Sequence, residues 1–534
     1  MGRHGERDDH RADLRSPAMD TYTLRDILTK TVTDAGARPD STALTFDGRD
    51  MTFGELDARS TALAAGLAAA GFRKGDRVSV IMYNRLEWIE LFFALAKLGG
   101  VLVPVNYLLA PSEMQYIVED SDSRWILVED ALAPAVTPIA DQLTGRTIVE
   151  VGERTGLGTA YEDLVADPDT AASFVLPDVR ADDLFLLQYT SGTTGFPKGA
   201  MHTHSTVLWN TYHQIVDFDL RNDDVYYVVP ALCWAAGFHD CGLATLWRGG
   251  RLVIGRSTGF DAGVFLDQVE KQRVTKVLLV PTVLARVLDH PEFDRYDTSS
   301  LRMVLSGGEP VPPSSLDGLK SKVPACDVLQ VYGMSEFPTL MLLMSGEDAA
   351  TRSGSTGKAC SAAVIKIVDE NDVEVPPNTV GQIICRSPAN MIGYYNKPDA
   401  TAETLANGWL HTGDLAGYDE DGFVYMAGRA KDMIISGGLN VYPAEIERVL
   451  AAHPDVLEAA VVGEPDEKWG EIGVAHIVVR DDAPADPASV EEHLRAHLAG
   501  FKVPRVYRIT TDPLPRTTSG KVQKHRLQQV RPGT

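Results

Sequence analysis

The sequence is short of cysteine, of basic residues and of long apolar runs. Its five cysteines are widely spaced and form no CxxC pair, which excludes a disulfide framework and is typical of reduced, buried thiols. Fifty Lys and Arg against 74 Asp and Glu leave a net charge of −24, and a surface this acidic repels nucleic acid and anionic membranes. We therefore predict a cytoplasmic protein with no nucleic-acid or membrane partner.

No segment has the character of a membrane span or of a signal peptide. The most apolar stretch, residues 88–105, contains Glu90, Lys97 and two adjacent glycines, which interrupt it well short of a span. The N-terminus is polar and charged through Arg15 and lacks an apolar core. We expect residues 1–20 to form a disordered tail.

The remainder has the composition of a globular protein, with 44% hydrophobic and 23% charged residues. Strand-like and helical segments alternate. Residues 53–70 have helical spacing, residues 77–82 have the pattern of a buried strand, and residues 88–98 are helical again. This alternation predicts an α/β fold in which helices cover both faces of parallel sheets.

The pattern changes in the last third of the chain. Gly and Pro become denser after residue 353, and short runs such as residues 381–386 predict a smaller, more antiparallel β unit. Helices and strands alternate again from residue 433. The charged stretch 428–432 lies between these two parts and is the candidate domain boundary.

The strongest local signal is the loop Tyr189-Thr-Ser-Gly-Thr-Thr-Gly-Phe-Pro-Lys-Gly199, which follows a strand-like run at residues 184–187. Its glycines let backbone N–H groups turn inward, and its hydroxyls and Lys198 add donors and charge, so the loop is suited to wrapping a polyphosphate. It lacks the Gly-Lys-Ser/Thr ending of a Walker A loop. A plain solvated loop is the alternative, but ordinary loops are seldom so uniform in glycine and hydroxyl residues.

Five motifs in the same order resemble those of the adenylate-forming superfamily, which comprises acyl-CoA and aryl-CoA synthetases, peptide-synthetase adenylation domains and luciferases. They are the phosphate loop, Tyr332-Gly-Met-Ser-Glu336, Thr412-Gly-Asp414, the stretch from Gly428 to Glu445, and Pro515-Arg-Thr-Thr-Ser-Gly-Lys521. The resemblance implies an N-terminal AMP-binding domain of two helix-covered sheets and a small β unit over residues 21–428. It also implies a hinge at 429–432 and a mobile, small α+β C-terminal domain over 433–534.

The resemblance further implies which residues bind the nucleotide. Tyr332 offers an aromatic face to adenine, Asp414 accepts the ribose hydroxyls beside Arg429, and Glu336 is a hard oxygen ligand suited to Mg²⁺. The implied nucleotide-binding residues are Thr190, Ser191, Gly192, Thr193, Thr194, Gly195, Lys198, Gly308, Glu309, Pro310, Tyr332, Gly333, Met334, Ser335, Asp414, Arg429, Lys431 and Lys521.

A two-step ligase that uses ATP, Mg²⁺ and CoA is the activity that the resemblance implies. A carboxylate attacks the α-phosphate of ATP and expels pyrophosphate, and a thiol then attacks the acyl-adenylate and releases AMP. Because positioning and charge stabilisation supply the catalysis, the implied catalytic residues are Lys521, Glu336, Lys198 and Thr190. The C-terminal domain is expected to rotate about Asp432 between the steps, exchanging Lys521 for the Gly437-Gly438 loop.

The residues expected around the acid depart from the family's common pattern. Where many members have Pro-Leu-Phe-His, this chain has Pro230-Ala-Leu-Cys233 followed by Trp234; Val331 replaces a common glycine, and Phe337 replaces a small residue. The added bulk favours a compact acid, aromatic or of short to medium chain, over a long one. The predicted pocket residues are Cys233, Trp234, Gly237, His239, Gly307, Val331 and Phe337.

Other interpretations stay open on the residues alone. His202 and His204 have the spacing of a metal pair, although a structural or substrate-adjacent role is favoured. Cys233 or Cys241 with His239 offers a nucleophile and a base, although pocket lining is favoured. The same adenylation chemistry can deliver the acyl group to a carrier protein or an amine. It can also activate nitrite in place of the acid, for nitrogen–nitrogen bond formation on an amine. A luciferase-like monooxygenase is the alternative from a different class, and a homo-oligomer is allowed.

Overall fold

The computed structural model describes residues 22–33, 38–190, 197–308, 311–352, 354–437, 439–479, 486–516 and 522–528. The tail predicted for residues 1–20 lies outside them. The α-helices are α1 Asp26–Thr33, α2 Phe53–Ala69, α3 Leu86–Leu98, α4 Pro111–Asp120, α5 Ala133–Val136, α6 Pro168–Ser173, α7 His204–Asp217, α8 Ala235–Phe238, α9 Gly242–Trp247, α10 Ala262–Gln272, α11 Pro281–Leu288, α12 Pro313–Lys322, α13 Gly346–Thr351, α14 Pro398–Thr404, α15 Pro443–Ala451, α16 Pro487–His497 and α17 Lys524–Leu527.

The strands are β1 Thr42–Phe46, β2 Arg49–Thr52, β3 Arg77–Ile81, β4 Val101–Pro104, β5 Trp125–Glu129, β6 Thr147–Val151, β7 Thr159–Ala160, β8 Leu184–Thr190, β9 Lys198–Thr203, β10 Val225–Val228, β11 Arg251–Ile254, β12 Lys276–Leu278, β13 Met303–Gly307, β14 Asp327–Met334, β15 Phe337–Ser345, β16 Lys358–Ala359, β17 Val364–Val368, β18 Gly381–Arg386, β19 Gly393–Tyr394, β20 Leu410–Tyr418, β21 Val424–Arg429, β22 Ile434–Ser436, β23 Leu439–Val441, β24 Val456–Asp466, β25 Gly470–Val479 and β26 Val506–Thr510.

Two large sheets form the first part of the protein. One has the strand order β19-β9-β8-β4-β3-β5-β6-β7 and the other β16-β15-β14-β13-β12-β10-β11-β1-β2. Both are parallel at their centres, and antiparallel pairs occur at β8–β9 and β9–β19 in the first and at β1–β2, β14–β15 and β15–β16 in the second. The alternating pattern of the sequence predicted this mixture of parallel strands and helices.

Two smaller sheets follow. The strands β17-β18-β20-β21 form an antiparallel sheet, as the dense Gly and Pro after residue 353 predicted. The last sheet has the order β23-β22-β25-β24, and β26 adds to β25 in parallel. The predicted fold class, two helix-covered sheets with a small β unit and a small α+β part, is therefore confirmed. Between β21 and β22 lies a single 3₁₀ turn, Ala430–Asp432, at the predicted hinge. The predicted domain boundaries stay a prediction.

The main hydrophobic core lies where helices pack between the two large sheets, since one cluster contains buried residues from strands of both. Helix α3 is enclosed in it, which explains its largely apolar sequence. Its two buried charged side chains are paired: Glu90 with Arg59 at 2.9 Å, and Lys97 with Asp57 at 2.7 Å. Pairing of this kind offsets the cost of burying a charge.

In the described ranges, no α-helix has both the length and the hydrophobicity to cross a membrane.

Candidate active site

A buried carboxylate, Asp414, joins the nine-stranded sheet to the small β unit. Strands β20 and β21 pair so that Asp414 lies opposite Arg429, whose Nε is 2.8 Å from Oδ1. The Tyr332 hydroxyl, from the end of β14, donates to Oδ2 at 2.5 Å. Gly413, with φ of +72°, allows the local bend that places the Thr412 hydroxyl 3.0 Å from the Asp414 N–H. The structure thus brings together all three residues predicted to hold adenine and ribose.

Glu336 lies in the turn between β14 and β15, with 8% of its surface exposed. Its Oε1 accepts a hydrogen bond from the Tyr394 hydroxyl at 2.7 Å, and its carbonyl accepts from Met391 N–H at 2.7 Å. Burial, reinforced by the Glu336 charge, raises the pKa of Tyr394 well above its usual value. The Lys198 ammonium lies 5.2 Å from the centre of the Tyr394 ring. Tyr394 therefore connects the predicted metal ligand to the lysine of the phosphate loop.

The phosphate loop connects two paired strands. Thr190 ends β8 and lies opposite Lys198, the first residue of β9. At the first residue of the loop, the Tyr189 hydroxyl donates to Asp120 at 2.8 Å, and Lys397 forms an ion pair with the same carboxylate at 2.8 Å. The base of the loop is thereby fixed. Five residues predicted to contact phosphate lie outside the described residues: Ser191, Gly192, Thr193, Thr194 and Gly195.

Parallel pairing of β13 with β14 places Gly307 opposite Val331. A Cβ on Gly307 would lie 2.1 Å from the Val331 carbonyl oxygen, so only glycine allows this approach. Gly308 follows with φ of +85°, a left-handed conformation that favours glycine. The predicted neighbours Glu309 and Pro310 lie outside the described residues.

The β14–β15 turn contains the rest of the adenine motif. Gly333 and Met334 end β14, Ser335 and Glu336 form the turn, and Phe337 begins β15. Phe337 is fully buried in the core between this hairpin and the four-stranded sheet. The Phe337 side chain, which was predicted to lie beside the acid, therefore lies in a packed core.

The loop before β11 carries the residues that were expected around the acid. Helix α8 packs so closely on its own preceding loop that a Cβ on Gly237 would lie 2.0 Å from the Ala231 carbonyl oxygen. Cys233 is buried, Trp234 caps the start of α8, and His239 follows its end. Cys233, Trp234 and His239 therefore lie on one loop, and its close packing against α8 requires glycine at position 237.

Burial decides the chemistry of the two thiols on this loop. It raises the pKa of Cys233 to about 12 and that of Cys241 well above its usual range. Burial also lowers the pKa of His239 to about 3. A protonated thiol is a poor nucleophile, so the geometry favours pocket lining over nucleophilic catalysis for these side chains.

His202 and His204 bind backbone groups. The His202 Nε2 lies 2.8 Å from the Ser335 carbonyl oxygen, and His204 Nδ1 accepts from Leu24 N–H at 3.3 Å. Both side chains are buried, and burial lowers the pKa of His202 to about 4 and that of His204 to about 3. These contacts support a structural or substrate-adjacent role over a metal pair.

The donor set around Glu336 fits a hard cation. Mg²⁺ takes one or two protein carboxylates together with phosphate and water oxygens, and Tyr394 binds only Oε1 of Glu336.

Elsewhere in the described part of the chain, His213, Asp217 and Cys360 lie close enough to share an ion. Both ring nitrogens of His213 are already engaged, by Asp217 at 3.0 Å and Asn210 at 3.2 Å. That group is a hydrogen-bonded cluster.

The predicted hinge directly follows Arg429, the ion-pair partner of Asp414. Lys431 is exposed, its charge interacts with those of Asp432 and Asp414, and partial desolvation lowers its pKa. In the predicted acceptor loop, Gly437 has φ of +60° and donates its N–H to the Trp469 carbonyl at 2.7 Å. The remaining two predicted residues of this region, Gly438 and Lys521, lie outside the described residues.

Sequence reasoning missed Tyr394. An aromatic residue after a glycine is a weak signal, and only the antiparallel pairing of β19 with β9 brings Tyr394 opposite Ala200 and next to Lys198. That pairing joins segments almost two hundred residues apart in the sequence. No local pattern indicates it.

Comparison with known proteins gives consistent results. The family model described as AMP-binding enzyme matches residues 32–395, and that of the AMP-binding enzyme C-terminal domain matches residues 445–521. A feruloyl-CoA synthase of Amycolatopsis sp is 38% identical over 492 residues, which cover 92% of this chain and 96% of that protein. An anthranilate CoA ligase solved with anthranoyl-AMP has a TM-score of 0.86 at 28% identity, covering 95% and 96% of the two chains. The amide bond synthetase McbA of Marinactinospora thermotolerans has a TM-score of 0.85 at 28% identity, covering 95% and 99%.

Proposed function

Because the chain belongs to the AMP-binding enzyme family and is an AMP-forming, adenylate-forming CoA ligase, we propose that its substrate is a compact carboxylic acid, aromatic or of short to medium chain. ATP activates the acid as an acyl-adenylate, and CoA accepts the acyl group. The observation that carries the proposal is the Tyr332–Asp414–Arg429 cluster, in which both partners hold the buried Asp414 carboxylate.

In the first step an oxygen of the substrate carboxylate attacks the α-phosphorus of ATP. The bond from that phosphorus to the bridging oxygen breaks, and pyrophosphate leaves. Asp414 orients the ribose through its free lone pairs, because Arg429 and Tyr332 already fix its position. Lys198 and Lys521 share the negative charge that develops on the phosphate, which is the main contribution open to a protein in such a displacement.

Glu336 would hold Mg²⁺, which would supply positive charge to neutralise the phosphates. The protein's own contribution at this position is to hold the carboxylate. The Tyr394 hydroxyl at 2.7 Å and the backbone contact to Met391 fix both the side chain and the main chain of Glu336. Positioning of this kind is what allows one carboxylate to serve as a dedicated ligand.

Two features support a compact acid. Val331 fills the position opposite Gly307 with a buried branched side chain, and Trp234 adds an indole to the loop of α8. Close packing at Gly237 leaves this loop no room to withdraw. The relatives that act on feruloyl and anthranoyl groups support an aromatic acid.

Local charge supports CoA as the acceptor. The Trp469 ring lies against Gly437 of the acceptor loop, and it is flanked by Arg505 at 4.5 Å and Lys468 at 4.9 Å from the ring centre. In a chain with a net charge of −24, a cationic and aromatic surface is suited to an anionic nucleotide such as the one that CoA carries.

A second candidate keeps the adenylate but changes the acceptor. The similarity to an amide bond synthetase over 95% of the chain favours an amine as the acceptor. A carrier protein could accept the acyl group by the same chemistry. In a further variant, nitrite replaces the acid as the group that ATP activates. The test is pyrophosphate release across a panel of acids and nitrite, with and without CoA, followed by mass spectrometry of the products. An acyl-CoA product supports the proposal, whereas acid-dependent pyrophosphate release with no thioester at any CoA concentration assigns the second candidate.

A further inference from the structure

The carboxylate of Asp120 has no role in the steps above, yet three side chains converge on it. Its Oδ2 accepts a hydrogen bond from the Tyr189 hydroxyl at 2.8 Å. Its Oδ1 accepts from the Lys397 ammonium at 2.8 Å and from the Tyr116 hydroxyl at 3.2 Å. Only 10% of the Asp120 side chain is exposed. Both carboxylate oxygens are therefore engaged in a largely enclosed network.

The stability of its own helix does not explain this carboxylate. Asp120 is the last residue of α4. The C-terminus of a helix carries the negative end of the macrodipole, which disfavours an acidic side chain there. Asp120 therefore contributes through its contacts with the segments that surround the end of α4.

The first of these segments is the phosphate loop. Tyr189, which binds the carboxylate, precedes Thr190, and Thr190 lies opposite Lys198 in the antiparallel pairing of β8 with β9. The Tyr116 hydroxyl, also on α4, lies 3.1 Å from the Pro197 carbonyl oxygen. Thr190 and Lys198 each directly follow a residue that an α4 side chain binds. The two described loop residues with implied catalytic roles are thus positioned from α4.

The second segment, residues 391–397, holds Glu336. Its first residue binds the Glu336 carbonyl, and the Tyr394 hydroxyl binds the side chain, each at 2.7 Å. Another backbone N–H of the segment donates to the Gly199 carbonyl of β9 at 2.9 Å. Lys397, at the end of the segment, forms the ion pair with the α4 carboxylate. One carboxylate therefore joins the phosphate loop to the segment that holds the predicted metal ligand.

We propose that Asp120 is a positioning residue for adenylate formation, which fixes Lys198 and Glu336 relative to each other. It acts on both through its hydrogen bond to Tyr189 and its ion pair with Lys397, without itself contacting ATP. Its charge matters as well as its shape, because an amide in its place has one acceptor oxygen and no charge for the ammonium. This inference rests on the roles proposed for Lys198 and Glu336.

The test measures acid-dependent pyrophosphate release by Asp120→Asn, which keeps the shape of the side chain and removes its charge. Because a small misplacement of catalytic groups costs about 10²-fold, kcat/KM for ATP should fall by about 100-fold. The KM for the acid should stay within about twofold of the wild-type value. Asp183→Asn is the matched control, since Asp183 directly precedes β8 and pairs with Lys74 at 2.6 Å; it should keep wild-type kinetics. Equal losses in the two variants, or equal changes in both KM values of Asp120→Asn, overturn the proposal.

A double-mutant cycle tests whether Lys397 acts through Asp120. Lys397→Met should lower kcat/KM for ATP by about tenfold, and adding it to Asp120→Asn should cause no further loss, because that ion pair is already broken. Losses that multiply in the double variant overturn the proposal. Tyr189→Phe removes one hydroxyl and keeps the ion pair. If Asp120→Asn does not fold, a loss of about tenfold in Tyr189→Phe supports the proposal, and wild-type kinetics overturn it.

Calorimetry of ATP binding in the absence of any acid separates this inference from the proposed function. If no acid in the panel supports pyrophosphate release by the wild type, the proposed substrate class is wrong, and ATP binding still decides the role of Asp120. With Mg²⁺ present, Asp120→Asn should raise the Kd for ATP by about tenfold, the scale of losing a hydrogen bond to a charged group. Asp183→Asn should leave this Kd unchanged. An unchanged Kd in Asp120→Asn overturns the inference.

Discussion

On the side proposed to bind the nucleotide, Asp414 is held between Arg429 and Tyr332, and Glu336 is bound to Tyr394. On the side proposed to bind the acid, the His239 ring is neutral and enclosed by aromatic rings, and its nitrogens have no partner among the described residues. The first region is charged and internally bonded, which suits a polar ligand of fixed shape. The second is neutral and tightly packed, which suits selection by size and by single hydrogen bonds. Substitutions on each side should therefore change different kinetic parameters.

The largest effect should come from Lys521, which the sequence predicts to reach the α-phosphate. Lys521→Ala should reduce adenylate formation by about 10²-fold or more, the scale of losing one preorganised donor. A supplied acyl-adenylate should still react with the acceptor at a near wild-type rate, because the C-terminal domain is expected to have rotated by then. Single-turnover kinetics of each half-reaction provides the measurement.

Two variants sharpen this experiment. Lys524→Ala removes a nearby lysine that is paired with Glu447 at 2.6 Å, so it should leave adenylation unchanged. Asp432→Pro should slow only the acceptor step, since a locked φ hinders rotation at the predicted hinge. Equal slowing of both half-reactions by Lys521→Ala would contradict the two-conformation account.

On the nucleotide side, Asp414→Ala should raise the KM for ATP by about 5- to 150-fold, because leaving ribose hydroxyls unpaired costs about 1–3 kcal/mol. The KM for the acid should change by less than about twofold, since the acid makes no use of this carboxylate. Asp419→Ala is the control: Asp419 ends the same hairpin at its far end and binds Arg352 at 2.9 Å. Similar increases in both KM values would show that Asp414 mainly supports the fold.

The neutral histidines give the protein a characteristic pH dependence. The folded pKa of His204, about 3, is lower than the unfolded value of about 6.5. Below pH 6.5 the unfolded chain binds the extra proton and the native state does not, so this contribution to stability is complete above pH 6.5 and falls as the pH decreases. Between pH 7 and pH 5 the unfolding free energy of the wild type should therefore fall by about 2 kcal/mol more than that of His204→Leu. Denaturant unfolding at the two pH values measures it, and parallel losses in variant and wild type would contradict the assignment.

The smallest expected effect concerns the size of the acid. Val331→Gly removes the branched side chain opposite Gly307 and should improve kcat/KM for bulkier acids by about tenfold, the scale of one or two methylene groups in a pocket. Val328→Gly, on the same strand but in a different core cluster, should lower stability without changing acid preference. Efficient use of long-chain acids by the wild type would contradict the role given to Val331.

The sequence indicated the fold class and the residues of the nucleotide cluster because both depend on local patterns. Apolar periodicity predicted α3 and β3, and short motifs predicted Asp414 and Arg429. The contacts between motifs were not predictable in this way. Tyr394 reaches Glu336 only through the pairing of β19 with β9, and Phe337 lies in a core formed by two sheets. Such positions depend on how distant segments pack, which a linear pattern does not contain.

The most direct test of the central claim follows an oxygen atom. If a substrate carboxylate attacks the α-phosphorus of ATP, then an acid labelled with ¹⁸O in its carboxylate must transfer one labelled oxygen to AMP when the acyl group moves to the acceptor. Mass spectrometry of AMP after turnover with the preferred acid should show one ¹⁸O in the phosphate and none in pyrophosphate. Label in pyrophosphate, or AMP without label, would contradict adenylation as the function of this site.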